Sequence, residues 1–228
     1  MRVTKSFLTA TVVCTIVSME PVQPQATVRK VTIDQRRANR AAPVSLFDGR
    51  TFSGWEGDTA KTWRIDDGAI VGGSLTTEVP HNEFLCTTRS FSNFVLRLRF
   101  KLVGTGFVNA GVQFRSQRAK DPVFEMIGYQ ADIGAKYWGS LYDESRRRKV
   151  LAGPDQTDVM RLVRLDDWND YEIRAEGRRI RLRLNGTETV DYTEPDETIP
   201  QSGVIGLQIH GGGKALVSYK DITIEELP

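Results

Sequence analysis

The stretch 94-FVLRLRFKL-102 decides the fold class. Read two residues at a time, Phe94, Leu96, Leu98, Phe100 and Leu102 share one face, and Arg97, Arg99 and Lys101 share the other. That period belongs to a β-strand with one face in a core. The stretches 171-YEIRA-175 and 179-RIRLRL-184 repeat it, with Ile173, Ala175, Ile180, Leu182 and Leu184 set against Glu172, Arg174, Arg181 and Arg183. Asn185-Gly186 then supplies the two residues that a tight hairpin wants at positive φ. Further turn signals stand at Asp48-Gly49, Asp67-Gly68, Gly72-Gly73 and Gly211-Gly212-Gly213. No window carries a sustained helical period with caps at both ends, and short helical turns fit only near Asp158–Arg161. Many strands spaced by turns predict an all-β protein of two packed antiparallel sheets. The last strand, Ala215–Glu226, is expected to lie beside the first.

Length and charge set the bounds. At 228 residues there is room for one sizeable domain. Lys+Arg of 31 against Asp+Glu of 29 leaves no nucleic-acid footprint, and the run Arg146–Lys149 reads as a solvated loop. Arg2 and Lys5 precede an uncharged, mostly apolar run, Phe7–Val17, that is too short to span a bilayer. We read residues 1–26 as an export signal, 27–43 as a poorly ordered linker and 44–228 as the domain. The expected destination is the periplasm or the cell exterior, with no transmembrane domain once the signal is removed. Of the two cysteines, Cys14 would leave with the signal, so no internal disulfide is expected. Cys86 reads as a small buried apolar residue.

Four strands carry a polar face unlike an ordinary solvated one. In 109-NAGVQFR-115, Asn109, Gly111, Gln113 and Arg115 oppose Val112 and Phe114. In 127-IGYQADI-133, Gln130 and Asp132 oppose Ile127, Tyr129, Ala131 and Ile133. In 137-YWGSLYD-143, Trp138, Ser140 and Tyr142 oppose Leu141, and in 204-VIGLQIHG-211, Gln208 and His210 oppose Leu207 and Ile209. Amides and carboxylates offer bidentate hydrogen bonds, and an aromatic face covers the apolar side of a sugar ring. The set therefore suits a polar, ring-shaped ligand. Structural readings stand beside this one: Gln113 and Gln130 could pair across strands, Arg115 and Asp132 could form an ion pair, and Trp138 could belong to a core layer. Serine-triad, zinc-protease, P-loop and dinucleotide signatures are all missing from the sequence. His81 and His210 are the only imidazoles, which excludes a zinc site of several histidines. A divalent cation held by Asp or Glu stays open, as does a glycosidase pair drawn from Glu125, Asp132, Asp143 and Glu144.

Several short motifs in order carry a family resemblance: 46-LFDG-49, Gly54-Trp55, 63-WRIDDG-68, 109-NAGVQFR-115, 128-GYQAD-132, 138-WGSLYDE-144, Trp168-Asn169 and 206-GLQIH-210. Together they resemble the 3-keto-disaccharide hydrolase domain (DUF1080) over about residues 44–227. The resemblance implies a concanavalin A-like jelly roll, exported by bacteria and acting on glycosides whose C3 hydroxyl has been oxidised to a ketone. Such a ketone acidifies the C2 proton, so a base can start an elimination that expels the C1 substituent, and water then adds to the enone. One base, donors or a cation for the enolate oxygen, and one acid suffice.

On the polar face His210 is the expected base, because imidazole titrates near working pH, and Glu125 is its rival. Tyr142 is the expected acid, and Asp132 orients a partner or binds a metal. Asn109, Gln113, Arg115, Gln130 and Gln208 are expected to hold the sugar, with Trp138 as its platform. The competing expectation is a non-catalytic carbohydrate-binding module, which would tolerate loss of His210.

Overall fold

The computed structural model describes residues 42–228. The expected export signal, and the expected linker up to residue 41, lie outside the described residues. Strands are numbered along the chain. One sheet runs β13 (Thr187–Thr193), β12 (Arg179–Leu184), β11 (Asn169–Glu176), β6 (Phe94–Gly106), β15 (Gly213–Glu226), β4 (Ala69–Gly73) and β3 (Trp63–Asp66). The short β1 (Val44–Ser45) also pairs with β15, so first and last strands meet as expected. The second sheet runs β10 (Lys149–Ala152), β9 (Leu141–Glu144), β8 (Met126–Gly134), β7 (Asn109–Arg118), β14 (Val204–Ile209), β5 (Glu83–Thr87) and β2 (Trp55–Glu56). All strand pairings are antiparallel. A single helical turn, α1 (Gln156–Val159), is capped by the Asp155 carboxylate, which accepts from the Thr157 and Asp158 N–H groups.

The alternating stretches form the first sheet. Leu96, Leu98 and Phe100 of β6 join Tyr171 and Ile173 of β11 and Leu182 of β12 in the core between the sheets. The charged positions face out and pair across strands, as in Arg97 Nε to Glu172 at 2.7 Å. Such exposed pairs add little stability, so apolar burial holds this sheet in place. Asn185 and Gly186 turn the β12–β13 hairpin at φ 49° and 83°. From the other sheet Val112, Phe114, Tyr129, Ala131, Leu207 and Ile209 complete the core.

The second sheet departs from a flat face at one place. β7 and β8 pair regularly up to Phe114 opposite Tyr129, and then the register shifts. Arg115 stands at φ 48° in this bulge, and Gly128 at φ 149° faces it on β8. A bulge bends the strand that carries it. Beyond it the β7–β8 hairpin turns back across the outer face of its own sheet. Arg118 Nη2 reaches Phe84 O at 3.5 Å, and Cys86 Sγ lies 3.7 Å from Met126 Sδ. Phe124 stacks on His81 at 4.0 Å, and Asn82 Nδ2 donates to Glu125 Oε1 at 3.0 Å. Under this cover Phe84, Cys86 and Met126 form a second, small apolar cluster. Cys86 is buried and free. No helix among the described residues is long and apolar enough to cross a membrane.

Candidate functional site

The outer face of the second sheet is ordered by its register. Asp132 on β8 stands opposite Gly111 on β7, which stands opposite Gln208 on β14. In the next row Tyr142 on β9 stands opposite Gln130, and Gln130 opposite Gln113. Gly111 has no side chain, and a Cβ there would come within 2.6 Å of Gln130 Cδ, so Gln130 leans over it toward Asp132. The floor is also pinned from the core side. Tyr171 Oη donates to Asp132 O at 3.3 Å, and Tyr219 Oη lies 2.9 Å from Gly111 O and 2.8 Å from Gln208 O.

A directed chain of hydrogen bonds crosses this floor. Ser116 Oγ donates to Gln113 Oε1 at 2.6 Å, Gln113 Nε2 to Gln130 Oε1 at 3.0 Å, and Gln130 Nε2 to Asp132 Oδ1 at 3.2 Å. Asn109 Nδ2 adds a second donor to the same oxygen at 3.4 Å. Asp132 is nonetheless almost fully buried, and burial raises its pKa to about 8 against those two amides. At neutral pH it is a carboxylic acid. With Oδ1 occupied as an acceptor, the proton sits on Oδ2.

Asp132 lines a small pocket of about 110 Å3 together with Asn109, Gln130, Tyr142 and His210. Glu144, Tyr137 and Phe107 complete the wall. His210 Nδ1 lies 2.7 Å from Gly211 O, and a carbonyl only accepts, so Nδ1 carries a hydrogen and, in the neutral tautomer, the lone pair is on Nε2. The Phe107 ring meets the imidazole edge-on at 4.8 Å. Burial, then the neighbouring Glu144, raises the Tyr142 phenol, and its ring stands 6.1 Å from that of Tyr137. Burial followed by the nearby Glu125 charge holds Glu144 at about 7. The pocket thus gathers an imidazole and two carboxyls whose pKa burial raises, beside hydrogen-bonding amides.

A family model described as a 3-keto-alpha-glucoside-1,2-lyase-like domain matches residues 42–225. The chain belongs to this lyase-like family. A sequence search among curated proteins found no match. Among solved structures it resembles a candidate glycosyl hydrolase from Parabacteroides distasonis, at 19% identity and a TM-score of 0.59, covering 87% of this chain and 99% of that one. It also resembles a carbohydrate-binding module from Bacillus subtilis, at 19% identity and a TM-score of 0.58, covering 76% of this chain and 96% of the other. A Bacillus subtilis protein with a galectin-like fold matches at 11% identity and a TM-score of 0.57, covering 83% and 97%. These likenesses establish the jelly-roll sandwich.

Within this lyase-like domain the expected site residues fall into four groups. Asn109, Gln130, Asp132, Tyr142 and His210 come together in the pocket. Gln113 and Gln208 lie on the same face but are fully buried beneath the folded-back hairpin. Gln113 acts through Gln130, and neither polar atom of the Gln208 side chain has a hydrogen-bond partner. Glu125 lies in the neighbouring cleft rather than the pocket and accepts from Asn82.

Arg115 and Trp138 are corrections. The positive φ of Arg115 swings its guanidinium to the sheet margin, where it donates to Ser92 O at 2.8 Å and binds Gly177 O, Gln201 and Asn93. It therefore neither reaches the pocket nor pairs with Asp132. Trp138 is buried in the main core, stacked on Phe100 at 6.3 Å, and cannot serve as a platform. The run 137–143 is not one strand: residues 135–139 form a turn, Gly139 stands at φ 67°, and β9 begins only at Leu141. That turn sends Trp138 inward and leaves its neighbour Tyr137 at the pocket. Tyr137, Phe107 and Glu144 are the wall residues that the face analysis left out. Glu144 had a usable signal, two positions beyond Tyr142 on the same strand face. The described residues gather no group of three or more His, Cys, Asp and Glu side chains placed to hold a metal ion.

Proposed function

We propose that the domain cleaves glycosides carrying a ketone at C3, by removal of the C2 proton and elimination of the C1 substituent, followed by hydration. The observation that carries this reading is the meeting of the His210 imidazole with the buried Asp132 carboxyl in one small pocket. His210 Nε2 removes the C2 proton. Asp132 Oδ2 donates to the ketone oxygen as negative charge builds there, and the buried site strengthens that bond. Asn109 and Gln130 hold Asp132 in place and present amide edges to ring hydroxyls. Tyr142 and Glu144 bring the O–H groups within reach of the departing oxygen. The apolar run at residues 7–17 supports action outside the cytoplasm.

A buried carboxyl with a raised pKa beside an imidazole in one pocket favours proton chemistry over plain binding. The test is incubation of the chain with a 3-keto glucoside bearing a chromogenic leaving group, beside the unoxidised glucoside, with and without EDTA. Release from the keto substrate alone is the expected result, with C2 exchanging hydrogen for solvent deuterium. Sugar binding without release from either substrate would establish the binding module instead.

A further inference from the structure

Glu144 is shared by two adjoining cavities. On one side lies the pocket with Asp132 and His210. On the other lies a cleft of about 300 Å3 between the hairpin residues Asp121, Pro122 and Glu125 and the turn residues Ser145 and Arg148. β9 sets this position: Leu141 and Asp143 are buried, and Tyr142 and Glu144 alternate to the outer face. The two acidic neighbours have different partners. Asp143 is held by Arg146 and by Arg147, whereas Glu144 makes no ion pair among the described residues. Its carboxyl, held at about 7, therefore titrates in the range where an acid both holds and releases a proton. Tyr142 starts from an ordinary 10 and is raised further, which makes it the poorer donor at neutral pH.

We propose that Glu144 is the catalytic acid for the departing C1 oxygen and that the cleft beside the hairpin holds the leaving group. This rests on the elimination proposed above and adds the acid and the class of leaving group. The cleft wall sets the charged Asp121, Glu125 and Arg148 and the Ser145 hydroxyl beside the aliphatic Ala119, Pro122 and Ile127 and holds no aromatic ring, so it fits a hydroxylated aliphatic alcohol rather than a flat aromatic one. In the step, His210 Nε2 takes the C2 hydrogen as a proton, and the C2–H electrons form the C1=C2 bond. The C1–O electrons leave with the oxygen, which takes the proton of Glu144 and departs as a neutral alcohol. Solvent then returns a proton to Glu144 and removes one from His210. An aliphatic alkoxide is a poor leaving group and needs that proton, whereas a nitrophenolate does not.

The experiment compares 3-keto glucosides of glycerol and of 4-nitrophenol with the wild-type chain and Glu144→Gln. We expect the glycerol substrate to lose about 100-fold or more in kcat and the nitrophenyl substrate less than about 10-fold, within the range of general acid catalysis. Across a series of leaving groups the variant should show a steep dependence on leaving-group pKa where the wild type is nearly flat. That slope does not depend on the fraction of folded enzyme, so partial misfolding of the variant leaves the result decisive. Parallel slopes with equal losses on both substrates would overturn the assignment of Glu144 and leave the elimination standing. A wild-type chain inert toward both keto glucosides would overturn the elimination and this inference with it.

Discussion

His81 and His210 occupy different settings. His81 stacks on Phe124 at the hairpin, while His210 turns Nδ1 to Gly211 O and lines the pocket. His210→Ala is expected to lower kcat on a 3-keto glucoside by about 10²–10⁴-fold with little change in thermal midpoint, which steady-state kinetics and a melting curve would check together. Gln208 carries the opposite expectation. A fully buried amide with neither polar atom paired is costly, so Gln208→Leu, which keeps the shape, should raise the unfolding free energy by about 1–3 kcal/mol in a denaturant titration. A drop in stability would mean that the amide has a bound partner in solution. The amides and the Asp132 carboxyl were legible in the sequence because each sits on a regular strand, where period two holds, and His210 directly follows β14. Arg115 and Trp138 were not, because each lies where the backbone leaves that period, at a bulge and in a turn.

The β7–β8 hairpin is the element that makes the outer face a site. It bends at the Arg115 bulge, covers Gln113 and Gln208, and walls the cleft next to Glu144. Its tip rests on few contacts, chiefly the Phe124–His81 stack and the Asn82–Glu125 hydrogen bond. Phe124→Ala should therefore speed amide hydrogen exchange in residues 119–125 while leaving the protection of β6 and β15 unchanged. Uniform loss of protection would show that the tip is coupled to global folding. Gly111→Ala tests the floor of the site. The added Cβ would strike the Gln130 side chain and push its amide off Asp132, so activity should fall well before the thermal midpoint does. From the sequence alone the hairpin was invisible, since nothing in residues 117–127 says which surface the turned-back strands will meet.

Over the whole molecule, the buried acid gives stability a definite pH dependence. Burial holds Asp132 at about 8, from an ordinary 3.8, so the folded chain keeps a proton that the unfolded chain has already released. The stabilisation is complete below the unfolded value and is lost as pH rises through the folded one. Glu144, at about 7, acts in the same direction. The thermal midpoint should fall steadily between about pH 5 and about pH 9, and Asp132→Asn should flatten most of that fall. A wild-type midpoint unchanged across this range would contradict the protonated state of Asp132. At this scale the sequence by itself determined the sandwich. The alternation in residues 94–102 and 171–184 and the Asn185-Gly186 turn are local properties of the chain. Period two also named most of the polar face, because side chains on a straight strand have only two directions. Only the tertiary structure decided which of those polar residues share a pocket, which are roofed over and which are turned away. Those outcomes depend on a bulge, on a glycine at positive φ and on a hairpin folding back over strands far from it in sequence, and no local pattern encodes where two distant surfaces come to rest against each other.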